Sequence, residues 1–169
     1  MEFIEKGPEC AAELSEYLYP MWHEVFDPLM PWEEAEYIFR AWTNPDAIVE
    51  AMSKGYVFGY VFSEGSRIGL YSYRLQDDGR FYINKLYLEK DCRGKGLGSE
   101  AIRMMKDMAR SSGCTEVYLN VYYRNERAID AYKRAGMTGY RYKESIGNGY
   151  FRDDYVMSVK LRSSVPHRG

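Results

Sequence analysis

Cys92-Arg93-Gly94-Lys95-Gly96-Leu97-Gly98-Ser99 lies between an apolar stretch and a helix-like one, and its residue types suit the holding of a phosphate. Glycines at alternate positions give a turn whose backbone can lie against a ligand with no side chain in between. A helix starting at Leu97 presents free N–H groups and a positive dipole end. Such ends bind anions, and Arg93 and Lys95 add positive charge beside it. Asn125, Ala128 and Tyr132 form a second constellation, at i, i+3 and i+7, which puts them on one face of a helix that Asn125 caps.

Two familiar phosphate loops fit poorly. A P-loop needs Gly-x-x-x-x-Gly-Lys-Ser/Thr, whereas Lys95 is followed by Gly96 and no hydroxyl stands at the required place. Gly94, Gly96 and Ser99 can be forced onto a dinucleotide fingerprint. That motif belongs at the start of repeated βαβ units, and here the run lies mid-chain. Cys10, Cys92 and Cys114 are few, odd in number and widely spaced, so neither a disulfide framework nor a zinc site is indicated. Cys92, beside the glycines, is a free thiol of the usually inert kind. His23 sits in a helical segment and His167 in the polar tail, and neither is a good base candidate.

The elements that position these residues read from period and punctuation. Glu2 to Lys6 is strand-like. Helices are predicted from Pro8 to Val25, from Pro31 to Ala41, and after an Asn44-Pro45-Asp46 cap as far as Gly55. Tyr56 to Ser63, Arg67 to Leu75 and Arg80 to Leu88 are aromatic, β-branched strands joined by turn signals, an antiparallel meander. Then the chain alternates. Leu97, Ala101, Met105, Met108 and Ala109 fall on one face of a helix running to Ser112. Val117, Leu119 and Val121 alternate in a strand. A helix from Asn125 to Ala135 stops at Gly136. Tyr140 to Ser145 and Tyr150 to Leu161 close as a hairpin about Gly147-Asn148-Gly149. The strand ending at Leu88, the helix from Leu97 and the strand from Thr115 form a right-handed parallel βαβ unit. Residues 163–169 read as a polar, frayed tail.

A chain of 169 residues favours one domain with a full core, here residues 1–162, with 1–55 as a helical arm and 56–162 as a sheet core. Hydrophobic residues at 46% and charged residues at 28% are ordinary for a globular protein. A net charge of −2 gives no drive toward nucleic acid or an anionic membrane. No apolar run reaches the roughly 18 residues of a membrane span, and the N-terminus lacks a signal-peptide core, so the expected location is cytoplasmic. The 17 tyrosines suit either a polar-lined apolar cleft or strands.

Arg93-x-x-Gly96-x-Gly98, then a helix, a strand and Asn125-x-x-Ala128-x-x-x-Tyr132-x-x-x-Gly136, resembles the GNAT superfamily of N-acetyltransferases. Element order extends the resemblance over about residues 57–161. One departure is Gly136-Met137, where the family usually ends in Gly-Phe. The resemblance implies an α+β protein of the acyl-CoA N-acyltransferase fold, a mixed antiparallel and parallel central sheet flanked by helices. It implies acetyl-CoA as co-substrate and no metal. The backbone of Leu86, Tyr87 and Leu88 would pair with the pantetheine arm as a strand would. Arg93, Gly94, Lys95, Gly96, Leu97, Gly98 and Ser99 would wrap the pyrophosphate. Asn125 would reach the cofactor arm, and Ala128 would keep the wall low. The Tyr132 hydroxyl would protonate the departing thiolate; without the motif, Tyr132 reads as a core aromatic.

The implied partner is a small-molecule primary amine that attacks the acetyl carbonyl. Its base is not named by the sequence; Glu89 is close to the strand end but equally reads as a surface residue. Glu24, Asp27, Glu33, Glu34 and Glu36 in the arm and Asp153 and Asp154 in the hairpin, beside Trp22, Trp32 and Tyr37, suit a cation. They equally fit a solvated acidic face. Gly147 to Met157 and Asn84 to Leu88 are similar to bacterial spermine/spermidine acetyltransferases, which implies a polyamine acceptor. A peptide N-terminus, an amino acid and an aminoglycoside-like amine stay open, as does a non-catalytic acetyl-CoA sensor. The aromatic C-terminal strands offer an edge on which two copies could pair as a homodimer.

Overall fold

Seven strands join in one sheet in the order β1-β2-β3-β4-β5-β7-β6. The computed structural model describes residues 1–162, and the expected 163–169 tail lies outside the described residues. The strands are β1 (Glu2–Lys6), β2 (Val57–Ser63), β3 (Ser66–Leu75), β4 (Arg80–Leu88), β5 (Glu116–Tyr122), β6 (Thr138–Gly147) and β7 (Tyr150–Lys160). The helices are α1 (Ala11–Phe26), α2 (Trp32–Trp42), α3 (Pro45–Ser53), α4 (Leu97–Ser111) and α5 (Glu126–Arg134). This is the mixed sheet with flanking helices expected from the sequence. The chain falls into two compact units, and the division passes through β4 after Ile83.

The first unit holds Met1–Arg74 and Asn84–Gly98. β1 and β3 both pair antiparallel with β2. Leu14, Leu18, Met21, Trp22 and Phe26 recur at helical spacing on α1, and all are buried. Phe39 of α2 and Ile48 of α3 are each 1% exposed. The Trp22 indole donates to the Ala35 carbonyl at 2.9 Å, so this side chain is a core anchor between α1 and α2. Its expected place in a cation site is thereby corrected. α3 starts where the sequence says, with Asn44 Oδ1 accepting from Ala47 N at 2.9 Å.

The α1–α2 joint also contains an ion cluster centred on buried His23. His23 Nδ1 lies 2.6 Å from Asp27 Oδ1, and His23 Nε2 lies 2.8 Å from Glu36 Oε2. Glu36 also accepts from Tyr19 Oη at 2.9 Å and from Arg40 Nε at 2.7 Å. A neutral imidazole has one N–H, so two facing carboxylates require the doubly protonated ring. Burial opposes that charge, but the hydrogen bonds to Asp27 and Glu36 outweigh it and hold the imidazole above its ordinary value. Burial likewise opposes the Glu36 charge; His23, Arg40 and Tyr19 outweigh it and hold the carboxyl low.

The second unit holds Leu75–Ile83 and the described residues from Ser99 onward. β4 and β5 pair parallel from Arg80↔Glu116 to Ile83↔Leu119, closing the expected βαβ unit. Ala101, Ile102, Met105 and Ala109 of α4 are buried, as are Val117, Leu119 and Val121 of β5 and Ile129 of α5. Met108, expected on that face, is half-buried instead, and Ile102 takes its share. Lys106 Nζ donates to the Ala135 carbonyl, tying α4 to the C-terminal end of α5, where a cation is favoured. The β6–β7 hairpin turns through Gly147, Asn148 and Gly149, all at positive φ. Among the described residues, no helix is long and apolar enough to cross a membrane.

The stabilisation from the His23 cluster is complete below an unfolded-state value of about 6.5 and is lost as pH rises through the higher folded-state value. Wild type should therefore lose more stability than His23→Gln as the pH is raised from about 6 to about 9. Urea unfolding followed by circular dichroism checks this; parallel pH profiles would count against a charged His23.

Candidate functional site

The glycine turn belongs to the first unit, apart from Ser99. β4 ends at Leu88, and a single 3-10 turn, Lys90–Cys92, carries the chain round. Glu89 N donates to Ile68 O at 2.8 Å, and Cys92 N to Glu89 O at 2.9 Å, so the approach to the glycines is fixed by backbone. Gly94 and Gly96 then take φ of 75° and 79°. A Cβ on Gly96 would meet nothing within 4 Å, so the need for glycine there is conformational and not one of space. Gly98 shows no positive φ, and its Cβ would touch only Leu88 Cδ1 at 3.9 Å. α4 follows at once, and Gly94, Lys95 and Gly96 are exposed ahead of its first turn.

Arg93 takes a place the sequence did not reveal. Its Nε donates to the Leu88 carbonyl at 2.9 Å, and its Nη2 lies 3.3 Å from Glu24 Oε2 on α1. The guanidinium thus braces the turn from within. Lys95 is the more exposed of the two expected cations.

The strand leading in is held just as closely. Leu86 and Tyr87 are half-buried, and Leu88 is buried. The Tyr87 ring lies 6.0 Å from Trp22 of α1. At Gly69 on β3 a Cβ would fall 2.3 Å from the Tyr87 carbonyl oxygen, so only glycine allows this approach. Glu89 accepts from Tyr17 Oη at 2.8 Å, and the Arg67 guanidinium lies 3.9 Å over the Tyr17 ring. Burial, then the Glu89 contact, push the Tyr17 phenol well above its ordinary value.

α5, in the second unit, presents the other constellation. Asn125 caps it, with Oδ1 accepting from Ala128 N at 3.4 Å. Asn125, Ala128 and Tyr132 are all half-buried, between buried Ile129 and the exposed Glu126, Arg127, Asp130, Lys133 and Arg134. They share the face that the spacing predicts. Burial pushes the Tyr132 phenol up to about 12, so it stays protonated at neutral pH.

The acids expected to attract a cation are largely engaged inside the protein. Asp27 and Glu36 hold His23, and Glu24 meets Arg93. Asp153 accepts two hydrogen bonds from Arg141, at 2.7 and 2.9 Å. Asp154 accepts from Arg152 Nε at 2.9 Å, and burial raises its carboxyl against that pairing. The acidic array is therefore mostly a set of ion pairs rather than an open cation site. Glu33 is exposed and Glu34 half-buried, both in the first turn of α2. No group of His, Cys, Asp or Glu able to hold a metal ion occurs among the described residues.

Comparison with known proteins gives a match to the model of the Acetyltransferase (GNAT) family over residues 11–137. The thialysine N-epsilon-acetyltransferase of Bos taurus is 36% identical over 70 residues, 40% of this chain and 41% of that protein. The spermine/spermidine N(1)-acetyltransferase of Bacillus subtilis (strain 168) is 26% identical over 84 residues, 45% of this chain and 55% of that one. The match thus spans about half the length of these curated relatives. The crystal structure of the PaiA N-acetyltransferase from Thermoplasma acidophilum, in complex with coenzyme A, superposes with a TM-score of 0.73 at 17% identity. It covers 95% of this chain and 100% of that one, which is a likeness of fold.

The two glycines of the turn should respond differently. Gly96→Ala forces a left-handed L-residue at a cost of about 1–2 kcal/mol, and should weaken acetyl-CoA binding about tenfold. Gly98→Ala should leave it within about twofold, since neither φ nor space opposes it. Titration calorimetry on both variants distinguishes them; equal losses would mean that the backbone angle at Gly96 is not what matters.

Proposed function

We propose, for a chain that belongs to the acetyltransferase (GNAT) family, that it transfers the acetyl group of acetyl-CoA to a primary amine. The observation that carries this is the turn through Gly94 and Gly96, left-handed at both and opening directly onto α4. Its backbone N–H groups and the helix dipole would hold the pyrophosphate, with Lys95 adjacent. The backbone of Leu86 to Leu88 lies past the four positions at which β4 pairs with β5. It would pair with the pantetheine arm as an added strand. Asn125 and Ala128 would line the arm's path along α5.

The amine lone pair attacks the acetyl carbonyl carbon, the carbon–sulfur bond breaks, and the thiolate leaves. An alkylammonium with pKa about 10.4 must first lose a proton, which costs about 4.6 kcal/mol at pH 7. Tyr132 would donate a hydrogen bond to the departing sulfur. Full proton transfer from a phenol near 12 to a thiolate near 8.5 is uphill. Its contribution is therefore a hydrogen bond that stabilises the charge developing on sulfur, while the proton lost by the attacking nitrogen passes to solvent and the thiolate takes up its own from there.

Polyamines are the acceptor class we favour, on the similarity to the Bacillus subtilis spermine/spermidine enzyme. A second reading, a thialysine-like amino acid amine, is supported by the relative from Bos taurus. The internal pairing of Asp27, Glu36, Asp153 and Asp154 favours this smaller charge. The setting is cytoplasmic in this reading, and β6, with Tyr140 65% exposed, is the edge for a second copy.

Thiol release from acetyl-CoA should appear with spermidine, spermine or thialysine and be absent with a secondary amine. Tight acetyl-CoA binding with no release for any amine would make the chain a sensor instead. Tyr132→Phe should lower kcat about a hundredfold with acetyl-CoA affinity nearly unchanged; full turnover in that variant would remove Tyr132 from the mechanism.

A further inference from the structure

We propose that Glu24 is a latch on the phosphate turn: it holds the Arg93 guanidinium against α1, and a bound diphosphate draws that guanidinium away. The proposal rests on reading the Gly94–Gly96 turn as the diphosphate cradle of acetyl-CoA. Two unequal contacts carry it. The Nε contact to the Leu88 carbonyl is short, at 2.9 Å, and stays within the strand-turn segment. The Nη2 contact to Glu24 is long, at 3.3 Å, and crosses to another element.

The exposures point the same way. The Arg93 side chain is 20% exposed and that of Glu24 is 40% exposed. Screened pairs of this kind hold weakly. A guanidinium carries five N–H donors in a rigid fork, and a diphosphate offers it a charge-assisted, two-pronged partner. The guanidinium moves as one plane, so a diphosphate that takes its Nη end breaks the longer Glu24 contact and tilts the shorter Leu88 one.

α1 has a separate hold on the same segment, through Tyr17 Oη on Glu89 Oε1 at 2.8 Å. Releasing Glu24 therefore leaves the helix attached. Glu13 of α1 is engaged by Tyr60 and Arg67, whereas Glu24 is the α1 acid paired with the arginine that enters the turn. Glu24 acts through Arg93 and is a positioning residue. A merely structural Glu24 would make its removal neutral or harmful to binding; a latch makes removal favourable.

The test is the acetyl-CoA dissociation constant of wild type, Glu24→Gln, Arg93→Met and the double variant, measured by calorimetry at fixed salt. Glu24→Gln should bind about two- to fivefold more tightly than wild type. Arg93→Met should bind more weakly, and in that background Glu24→Gln should change nothing. Arg93→Gln replaces Arg93→Met should the latter not fold. Glu24→Gln binding no tighter than wild type overturns the latch. An equal gain in the Arg93→Met background also overturns it, since the effect would then be bare repulsion between Glu24 and the diphosphate. Absence of acetyl-CoA binding by all four proteins overturns the functional reading, and the latch with it.

Discussion

A backbone that must turn left-handed twice within three residues, at Gly94 and Gly96, sets the terms for everything around it. L-residues resist that conformation by about 1–2 kcal/mol each, so the sequence there is glycine and the turn contributes no side chain to hold itself. Its rigidity has to come from neighbours. Arg93 supplies it from one side by gripping Leu88. The backbone bonds of Glu89 and Cys92 supply it from the other. α1 then lies along this segment, with Tyr17, Trp22 and Glu24 reaching Glu89, Tyr87 and Arg93 in turn. A bare glycine loop is held in one shape because a helix far away in sequence is packed to support it.

Much of this was legible in the sequence, for a local reason. β1 and β4 fall at the boundaries their alternation predicts, and the Asn44 and Asn125 caps sit where a side-chain acceptor must serve a helix start. Gly136, expected as a helix stop, has φ 89°. Hydrophobic period and turn chemistry act over a few residues, so they can be read without the fold. The partner of Arg93 could not be read, because Glu24 is 69 positions away. The contact of His23 with Asp27, four residues on, is the part of its cluster that helical spacing makes readable. Glu36 completes that cluster only once α2 folds back on α1. Charge counted along a chain does not reveal which charges will neutralise each other.

That neutralisation alters what the acids can mean for selectivity. A run of carboxylates in an arm suggests long-range attraction of cations, yet most of these acids are already matched with His23, Arg93, Arg141 or Arg152. In the proposed reaction, recognition of an amine would then depend more on shape and on aromatic faces than on bulk charge. Exposed Trp32, stacked on His23 at 5.5 Å, is such a face.

Gly69 illustrates how far the demands of a site extend. It lies on β3, away from the turn, and a Cβ there would drive into the Tyr87 carbonyl at 2.3 Å. Any side chain at this position would displace the backbone of β4 a residue short of its end, without contacting any ligand. At Gly96 the demand for glycine is one of backbone angle alone, and at Gly69 it is one of room alone, so a side chain would disturb a single peptide at the first and the seam between two strands at the second.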